Sequence, residues 1–418
     1  MNVNNLVDAI NELIDGCSFA ATNENVEENT TTIVFGEDYS YYPESSVVNQ
    51  KNAALFENVV SEILRNNKEI THTLSRKSIS DFLARLILRY AQSGQSIDKK
   101  KLQTIISQEI EKTSIREYEV FYKIYGLNVS KEDPLKVGNF QFYNTQSLKK
   151  HMDTTAMGRY CLDALLPRVH AHYTIISTKV KARDTEKAWE LAYEDFDVLE
   201  NILRFFISFW NLKHFDIGIV HPKKIDVHEY MMLQDDGLGS GRMGSSVRIE
   251  ALDFDEFQGR FIGANITPID VMKKFCKQDK NEIENRLLRA MELVGRAVFH
   301  FGKPTSFLFS IMAIEALLQV NTNQLVNQSI SAQISEYIAF LLEANYENRV
   351  AMEKKMKHFY NIRSKIAHGS SYKCSFEECK EALETARSLV CLFFTDDTLR
   401  RFTKLGDLQN YIRKLKYK

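Results

Sequence analysis

Arg363 and His368 are the residues whose types and spacing best suit phosphate chemistry in this sequence. Arginine stays charged and presents paired N–H donors that match a phosphate, whereas histidine can take up or release a proton near neutral pH. Both lie in the stretch Tyr-Asn-Ile-Arg-Ser-Lys-Ile-Ala-His-Gly at residues 360–369. Gly369 is the residue type expected for a left-handed helix cap, so His368 should lie where the helix dipole favours an imidazolium. The pattern predicts a phosphate-binding group close to an acid or base.

Arg363 falls within the apolar stripe of a helix that is predicted to begin near Tyr346. The stripe consists of four residues at helical spacing: Met352, Met356, Phe359 and Ile366. Because a buried guanidinium is costly without an anion, the stripe either faces a polar cleft or supplies Arg363 with a carboxylate partner. Glu315 is the only charged residue in the apolar segment 307–318, which is predicted to be a buried helix. We expect Glu315 to lie near Arg363, although spacing alone leaves its partner open.

The residues around Arg363 resemble those of a known family. A long helix ends in Arg-x4-His, is preceded by Tyr360 and followed by Gly369, and has a helix bearing Glu315 upstream. This arrangement resembles the HEPN superfamily of helical ribonucleases and nucleic-acid-binding domains, and most closely the ApeA-like HEPN domains of bacterial antiphage defence proteins. The resemblance covers residues 280–400 and extends more faintly through residues 124–127 and 173–206. Many ribonucleases of the superfamily carry Asn, Asp or His directly after the Arg, where this chain has Ser364.

The resemblance implies a metal-independent endoribonuclease without cofactors, in which Arg363 and His368 are catalytic and the RNA supplies its own 2′-hydroxyl as nucleophile. The residues expected to support this site are Glu315, Tyr360, Ser364 and Lys365. The resemblance also implies a homodimer that brings the Arg and His residues of two protomers together. Its expected role is abortive infection, in which a phage-derived trigger unleashes cleavage of cellular RNA such as tRNA. The alternative is a non-catalytic HEPN-like module for RNA binding or dimerisation in a defence or toxin–antitoxin system, which Ser364 and the ordinary net charge favour.

Other chemical patterns in the sequence have plainer interpretations. Arg65 and His72 form another Arg–His pair, at Arg-x6-His spacing, but no Gly cap, Tyr or buried Glu accompanies them. Residues 239–244 fit Gly-x-Gly-x-x-Gly, yet an extended segment follows instead of a helix, so a flexible loop is predicted there. His170 and His172 would share one face of a strand, with no third metal ligand evident nearby. We therefore predict no metal site and no dinucleotide site.

The composition allows RNA binding only through local patches. With 418 residues, 44% hydrophobic and 26% charged, the chain is an ordinary globular sequence, and its net charge of -1 excludes a uniformly basic surface. Basic residues gather at 400–418, with seven Lys or Arg against Asp407 alone, where a solvated tail and an RNA contact are both open. Residues 99–101 are also basic and are interpreted as a solvated helix face.

The cysteines and apolar segments indicate a cytoplasmic protein with no membrane partner. Six cysteines are scattered at positions 17, 161, 276, 374, 379 and 391 without a Cys-x-x-Cys, which suits a reducing compartment. No N-terminal signal is expected, because Asp8, Glu12 and Asp15 interrupt the apolar positions. The most apolar runs are short, so no segment is expected to span a bilayer.

The predicted fold class is α+β, in four regions. Residues 1–115 are mostly helical with a strand near 31–35, and residues 116–270 form an α+β domain that is a possible sensor. That domain contains strands near 119–129, 137–143, 170–180, 217–220 and 247–254, and a long helix over 185–206. Residues 280–400 form a HEPN-like all-α bundle of five helices, and residues 401–418 a basic C-terminal tail.

Overall fold

The structure is a computed structural model of the chain. It describes residues 3–19, 32–35, 47–50, 52–130, 133–153, 174–209, 215–221, 230–233, 239–242, 251–254, 267–275, 279–319, 330–369 and 372–417. This described part is a mixed α+β structure dominated by helices, as predicted. None of its helices is long and apolar enough to cross a membrane.

The helices, numbered in chain order, follow the predicted periodicity closely. They are α1 (Val3–Asp15), α2 (Ala53–Asn66), α3 (Lys68–Thr73), α4 (Arg76–Ser93), α5 (Lys99–Lys112), α6 (Thr145–Met152), α7 (Thr185–Ile207), α8 (Pro268–Phe275), α9 (Glu282–Phe299), α10 (Pro304–Leu318), α11 (Ile330–Leu342), α12 (Tyr346–Ala367), α13 (Phe376–Thr395) and α14 (Leu405–Lys416). A 3-10 turn, Leu399–Arg401, precedes α14.

The strands are β1 (Cys17–Phe19), β2 (Thr32–Phe35), β3 (Val47–Gln50), β4 (Arg116–Ile124), β5 (Leu127–Asn128), β6 (Leu135–Val137), β7 (Phe140–Tyr143), β8 (Thr174–Ala182), β9 (Tyr230–Leu233), β10 (Gly239–Arg242) and β11 (Leu252–Asp253). Most of the strands have two to four residues, whereas β4 and β8 have nine each. The largest sheet has the order β4-β8-β7-β6, and β7 pairs antiparallel with both β6 and β8.

The chain divides into two compact units. Unit 1 comprises residues 1–120 and 179–193, and unit 2 comprises residues 121–178 and 194–418. The four regions predicted from the sequence stay a prediction.

Unit 1 is a helical unit whose apolar side chains form one core. Phe56, Val59 and Ile63 of α2 are buried there, as are Leu83 and Ile87 of α4. Ser75 caps α4, because its hydroxyl accepts the Ser78 N–H at 3.1 Å.

Two charged residues of the segment 179–193 form hydrogen bonds and an ion pair with the rest of unit 1. The Asp184 carboxylate accepts the Ser75 N–H at 2.9 Å and the Ser78 hydroxyl at 2.8 Å. The Arg183 guanidinium donates to the Ile110 carbonyl at 2.7 Å and pairs with Glu69 at 2.7 Å. Asp184 also opens α7 by accepting the Lys187 N–H, which confirms the predicted start of that helix.

Two predictions for unit 2 need correction, a strand at 217–220 and a flexible loop at 239–242. Residues 217–220 form only an isolated bridge, between Gly218 and Tyr125, because this segment is held by a side chain of α7. Residues 239–242, predicted as part of a flexible loop, form β10 and pair antiparallel with β9. Of the predicted strand at 247–254, Leu252 and Asp253 form β11, and residues 247–250 lie outside the described part.

The five predicted C-terminal helices are all present, as α9 to α13. Residues 401–418, predicted as a basic tail, contain the further helix α14. Leu405, Leu408 and Ile412 of this helix are buried. Its first N–H is accepted by the Glu282 carboxylate at the start of α9, at 3.0 Å.

A buried ion network fixes the end of α7 within unit 2. The Glu200 carboxylate accepts the N–H groups of three successive residues, Ile219, Val220 and His221, at 2.7, 2.6 and 2.9 Å. Arg204, one helical turn later and also fully buried, pairs with Glu200 and donates to the His221 carbonyl at 2.6 Å. A carboxylate that accepts this many bonds holds the segment 219–221 without a strand ladder.

Helices α7 and α9 approach each other closely because Gly295 has no side chain. A Cβ atom added to Gly295 would lie 2.0 Å from the Asn201 carbonyl oxygen. No rotation of a side chain relieves such a clash, because the obstacle is the backbone.

We expect Gly295→Ala to lower the free energy of unfolding by about 3 kcal/mol, the upper end of the usual cost of overpacking. Gly406→Ala is the matched control, because nothing lies within 4 Å of a Cβ at that helical position. The control should raise stability by about 0.5 kcal/mol through its better helix propensity. Urea unfolding followed by circular dichroism measures both, and equal stability of the two variants would contradict the close approach.

Candidate functional site

The helix that carries Arg363 has the predicted limits. It begins at Tyr346, after Asn345 accepts the Asn348 N–H at 2.9 Å, and ends at Ala367. Gly369 has φ of 73°, the left-handed conformation that its position after His368 predicts. His368 is the cap residue, and its N–H is accepted by the Ser364 carbonyl at 3.0 Å. His368 is exposed at the C-terminal end of α12.

The buried face of α12 is slightly rotated from the predicted stripe. Met356, Phe359 and Ile362 are fully buried, and the Phe359 ring packs edge-on against Phe307 of α10 at 5.4 Å between centroids. Ile366, predicted to be in the stripe, is only half-buried. Arg363, next to Ile362, therefore lies at the border between core and solvent.

Arg363 meets Glu315, as the argument from buried charge predicted. The Arg363 Nη2 atom lies 3.6 Å from the Glu315 Oε2 atom. The carboxylate side chain is 16% exposed and the guanidinium side chain 41% exposed. Burial raises the pKa of Glu315, and the charge of Arg363 offsets only part of that effect. The pair is half-buried, so one side of the guanidinium is open to an incoming anion.

Tyr360 lies against the same pair. Its hydroxyl is buried and forms no hydrogen bond of ordinary geometry with the residues that the structure describes. Burial, and then the neighbouring Glu315 carboxylate, raise the pKa of this phenol far above its usual range. Tyr360 therefore stays protonated, with its hydroxyl beside the Glu315 carboxylate.

Ser364 and Lys365, the other expected supporting residues, are exposed on the last turns of α12. The Lys365 ammonium lies 5.1 Å from the centre of the Tyr372 ring, beyond the end of the helix. Such a cation–π contact links the helix end to the chain that follows His368.

Helix α10 is less buried than its composition predicts. Phe307, Ile311 and Ile314 are in the core, but Met312 is 38% exposed and Leu308 is half-buried. Because a helix that is apolar all round has no polar face to give to solvent, the sequence could not indicate which side stays open. The open side of α10 is apolar and also carries Glu315.

A polar group that the sequence argument missed holds the chain beyond His368. The Glu378 carboxylate accepts the Tyr372 hydroxyl at 2.7 Å and the Ser375 N–H at 2.7 Å, and His358 of α12 lies 3.6 Å away. The available signal was the Ser-x-x-Glu pattern at residues 375–378, a capping box that predicts the start of α13.

The weaker candidate residues do not join this site. Arg65 and His72 lie on α2 and α3 in unit 1, and Arg65 is exposed and paired with Glu62 at 2.6 Å. His170 and His172 lie outside the described residues. Within the described part of the chain, no three His, Cys, Asp or Glu residues are grouped so that they could hold a metal ion.

Comparison with family models, with curated proteins and with solved structures finds no match to this chain. The chemistry of the site therefore has to be argued from its own residues.

We expect Glu315→Ala to lower the free energy of unfolding by about 1–2 kcal/mol, between the costs typical of exposed and of fully buried ion pairs. A fully buried pair, as the sequence suggested, would cost about 3–5 kcal/mol, but the half-exposed Arg363 can be solvated when its partner is lost. Urea unfolding measures the difference, and an unchanged midpoint would contradict any contribution of the pair.

The pH dependence of stability gives a second test of Glu315. Its pKa in the folded chain is raised above the ordinary 4.5, so the folded chain keeps a proton that the unfolded chain releases as the pH rises. The contribution of Glu315 to stability is therefore greatest at acid pH and declines as the pH rises through the raised pKa. The stability of wild type minus that of Glu315→Gln should therefore fall as the pH rises above 4.5 and through the raised pKa. A difference that rises with pH would contradict the raised pKa.

Proposed function

We propose that this protein is a metal-independent endoribonuclease of the HEPN type, with Arg363 and His368 as its catalytic residues. The supporting observation is that exposed His368 and Arg363 lie on the same helix, α12. The Arg363 side chain is 41% exposed and pairs with Glu315. A structural arginine would be expected to use its whole guanidinium in contacts within the chain, whereas Arg363 keeps one side available.

The proposed reaction uses a nucleophile that belongs to the RNA. His368 removes the proton of a ribose 2′-hydroxyl, whose oxygen attacks the neighbouring phosphorus atom. The bond to the 5′-oxygen of the next nucleotide breaks, and this oxygen receives the proton that His368 has taken up, which leaves a 2′,3′-cyclic phosphate and a 5′-hydroxyl. Arg363 stabilises the extra negative charge of the phosphorane with paired N–H donors. DNA has no 2′-hydroxyl and is not a substrate for this reaction.

The site is completed by a second copy of the chain in this proposal. Five residues on an α-helix turn through about 140°, so one straight α12 does not direct Arg363 and His368 at the same point. Two helices related by a two-fold axis would line one cleft with two of each residue. The open apolar side of α10, with Met312 near Glu315, supports an interface at this position.

The cellular role follows from the resemblance to defence proteins. Cleavage of cellular RNA such as tRNA in the cytoplasm would abort phage infection, and residues outside the bundle would sense a phage-derived trigger. Such an enzyme has to be inactive before infection. The ion pair between Arg363 and Glu315 is one physical means, because an RNA phosphate has to compete with Glu315 for Arg363.

A second candidate function is a non-catalytic HEPN-like module that binds RNA or dimerises. The 3.6 Å ion pair with Glu315 favours it, because this pair already gives Arg363 a structural partner. Ser364, in place of the Asn, Asp or His found in many ribonucleases of the superfamily, favours it as well.

We expect Arg363→Ala and His368→Ala each to lower the rate of RNA cleavage by at least about 10²-fold, the usual contribution of an acid–base group. His368→Ala should keep the melting temperature of wild type because His368 is exposed, whereas Arg363→Ala should lower it by a few degrees, as Glu315→Ala does, because both remove the same ion pair. The assay uses purified protein and total RNA in EDTA, with sequencing of the 2′,3′-cyclic ends.

Arg65→Ala and His72→Ala are the matched controls, since this exposed pair has similar spacing in unit 1. Equal cleavage by all four variants would contradict the assignment of the site. Cleavage that is lost in EDTA and restored by magnesium or zinc would contradict the metal-independent reaction. Protein that binds RNA but produces no cyclic ends would favour the non-catalytic module.

We expect specific activity to fall on dilution together with dimer dissociation, measured by mass photometry. Met312→Glu should weaken the dimer, because it places a charge on the open apolar side of α10. Tyr346→Glu is the control, since Tyr346 is also exposed but lies about 25 Å along α12 from Arg363. Full specific activity in a sample that is demonstrably monomeric would refute the composite site.

A further inference from the structure

Unit 1 contains an open groove at the turn between α4 and α5. Its volume is about 780 Å³. Arg89, Tyr90 and Ser93 of the last turns of α4 form one wall, and Lys100 and Lys101 of the first turn of α5 contribute to the other. All of these residues belong to unit 1, so the groove is complete within one compact unit.

The groove carries an excess of positive charge that the described chain does not neutralise. Arg89, Lys100 and Lys101 are exposed, and none forms an ion pair with a residue that the structure describes. Asp98 is the one acidic residue among those lining the groove. Its carboxylate is engaged as the cap of α5, where it accepts the Lys101 N–H at 2.8 Å.

The position of these lysines on α5 is electrostatically unfavourable. The first turn of a helix is its positive end, where acidic residues are usual, yet residues 99–101 are all lysine and the first turn has no acidic residue. A bound anion would relieve this repulsion and would also meet the N–H groups of the first turn that lack acceptors within the helix. The sequence alone indicated a solvated face, because it does not reveal that Arg89 faces the same groove.

The groove is held in shape before any ligand arrives. Asn11 of α1 clamps the connecting turn, since its side chain accepts the Ile97 N–H at 2.8 Å and donates to the Ile97 carbonyl at 3.0 Å. Gly94 ends α4 in the left-handed conformation, with φ of 62°, and the Gln95 N–H returns to the Tyr90 carbonyl at 3.2 Å. A fixed groove loses little entropy on binding.

The shape and lining of the groove suit a polymer of phosphates. It is open to solvent, so an extended chain can enter it. The part of the Tyr90 ring that the core of unit 1 leaves uncovered can stack on a base. The Ser93 and Thr104 hydroxyls already donate to the Tyr90 and Lys100 carbonyls, and their oxygens can accept from a ribose hydroxyl. We propose that this groove binds the sugar–phosphate backbone of single-stranded RNA, as an RNA-binding site additional to Arg363 and His368. The choice of RNA rests on the proposed function, whereas the binding of a phosphate backbone rests on the groove itself.

The test measures binding separately from cleavage. The protein carrying His368→Ala is titrated, in EDTA, against a fluorescein-labelled single-stranded RNA of about 20 nucleotides, which exceeds the roughly 4–16 nucleotides that one binding module covers. Fluorescence anisotropy gives Kd at several salt concentrations between about 50 and 200 mM, where binding to phosphates weakens measurably. Lys100→Glu/Lys101→Glu is compared with Lys68→Glu/Lys77→Glu, which changes the charge of unit 1 by the same amount at exposed positions outside the groove.

We expect the groove variant to bind about tenfold more weakly and its salt slope to fall by about 1.4, or about 0.7 for each phosphate that is no longer neutralised. The control variant should stay within about twofold of the parent. The groove variant should also melt no lower than the parent, because glutamate suits the first turn of α5.

Equal weakening by both double variants would overturn the proposal, since it would show only a general charge effect. Unchanged binding by the groove variant would overturn it too. Binding of single-stranded DNA with the same dependence on Lys100 and Lys101 would support recognition of the backbone. If wild-type protein fails to cleave RNA while the groove variant alone loses binding, the groove stands and the proposed catalysis falls.

Discussion

A buried charge has to meet an opposite charge, and unit 2 depends on this constraint in two places. On α7 both members of the pair are buried: Arg204 pairs with Glu200, and Glu200 also accepts three successive N–H groups. On α10 the partner is only partly buried, because Glu315 pairs with a half-exposed Arg363. The first arrangement is closed to solvent and fixes the fold. The second leaves an arginine that an anion can reach.

The same constraint explains which features the sequence predicted well. The limits of α12, the left-handed Gly369 and the Glu315–Arg363 pair all follow from local periodicity or from the cost of one buried charge. These arguments need no knowledge of distant parts of the chain. The burial of the Tyr360 hydroxyl beside Glu315 follows from none of them, because it depends on how α10 and α12 pack.

Features set by the approach of distant segments were not predicted. The contact at Gly295 depends on how α7 and α9 cross, and a single Gly within a helical pattern does not predict such a contact. Ser75 caps α4, and both the Ser75 N–H and the Ser78 hydroxyl bind Asp184, which is more than one hundred residues away in the sequence. The basic residues 400–418 contain α14 because Leu405, Leu408 and Ile412 repeat at helical spacing beneath the charges. The prediction of a basic tail considered only the number of charged residues and not this apolar spacing.

The helix α14 has a consequence for the order in which the protein matures during synthesis. All segments of unit 1 have been made once the ribosome passes residue 193. Unit 2 lacks part of its core until Leu408 and Ile412 emerge, because α14 packs on α11 and its first N–H binds Glu282. Domains fold as units during translation. A nascent chain therefore carries all segments of unit 1 while the helices around Arg363 and His368 still lack the core residues that α14 supplies.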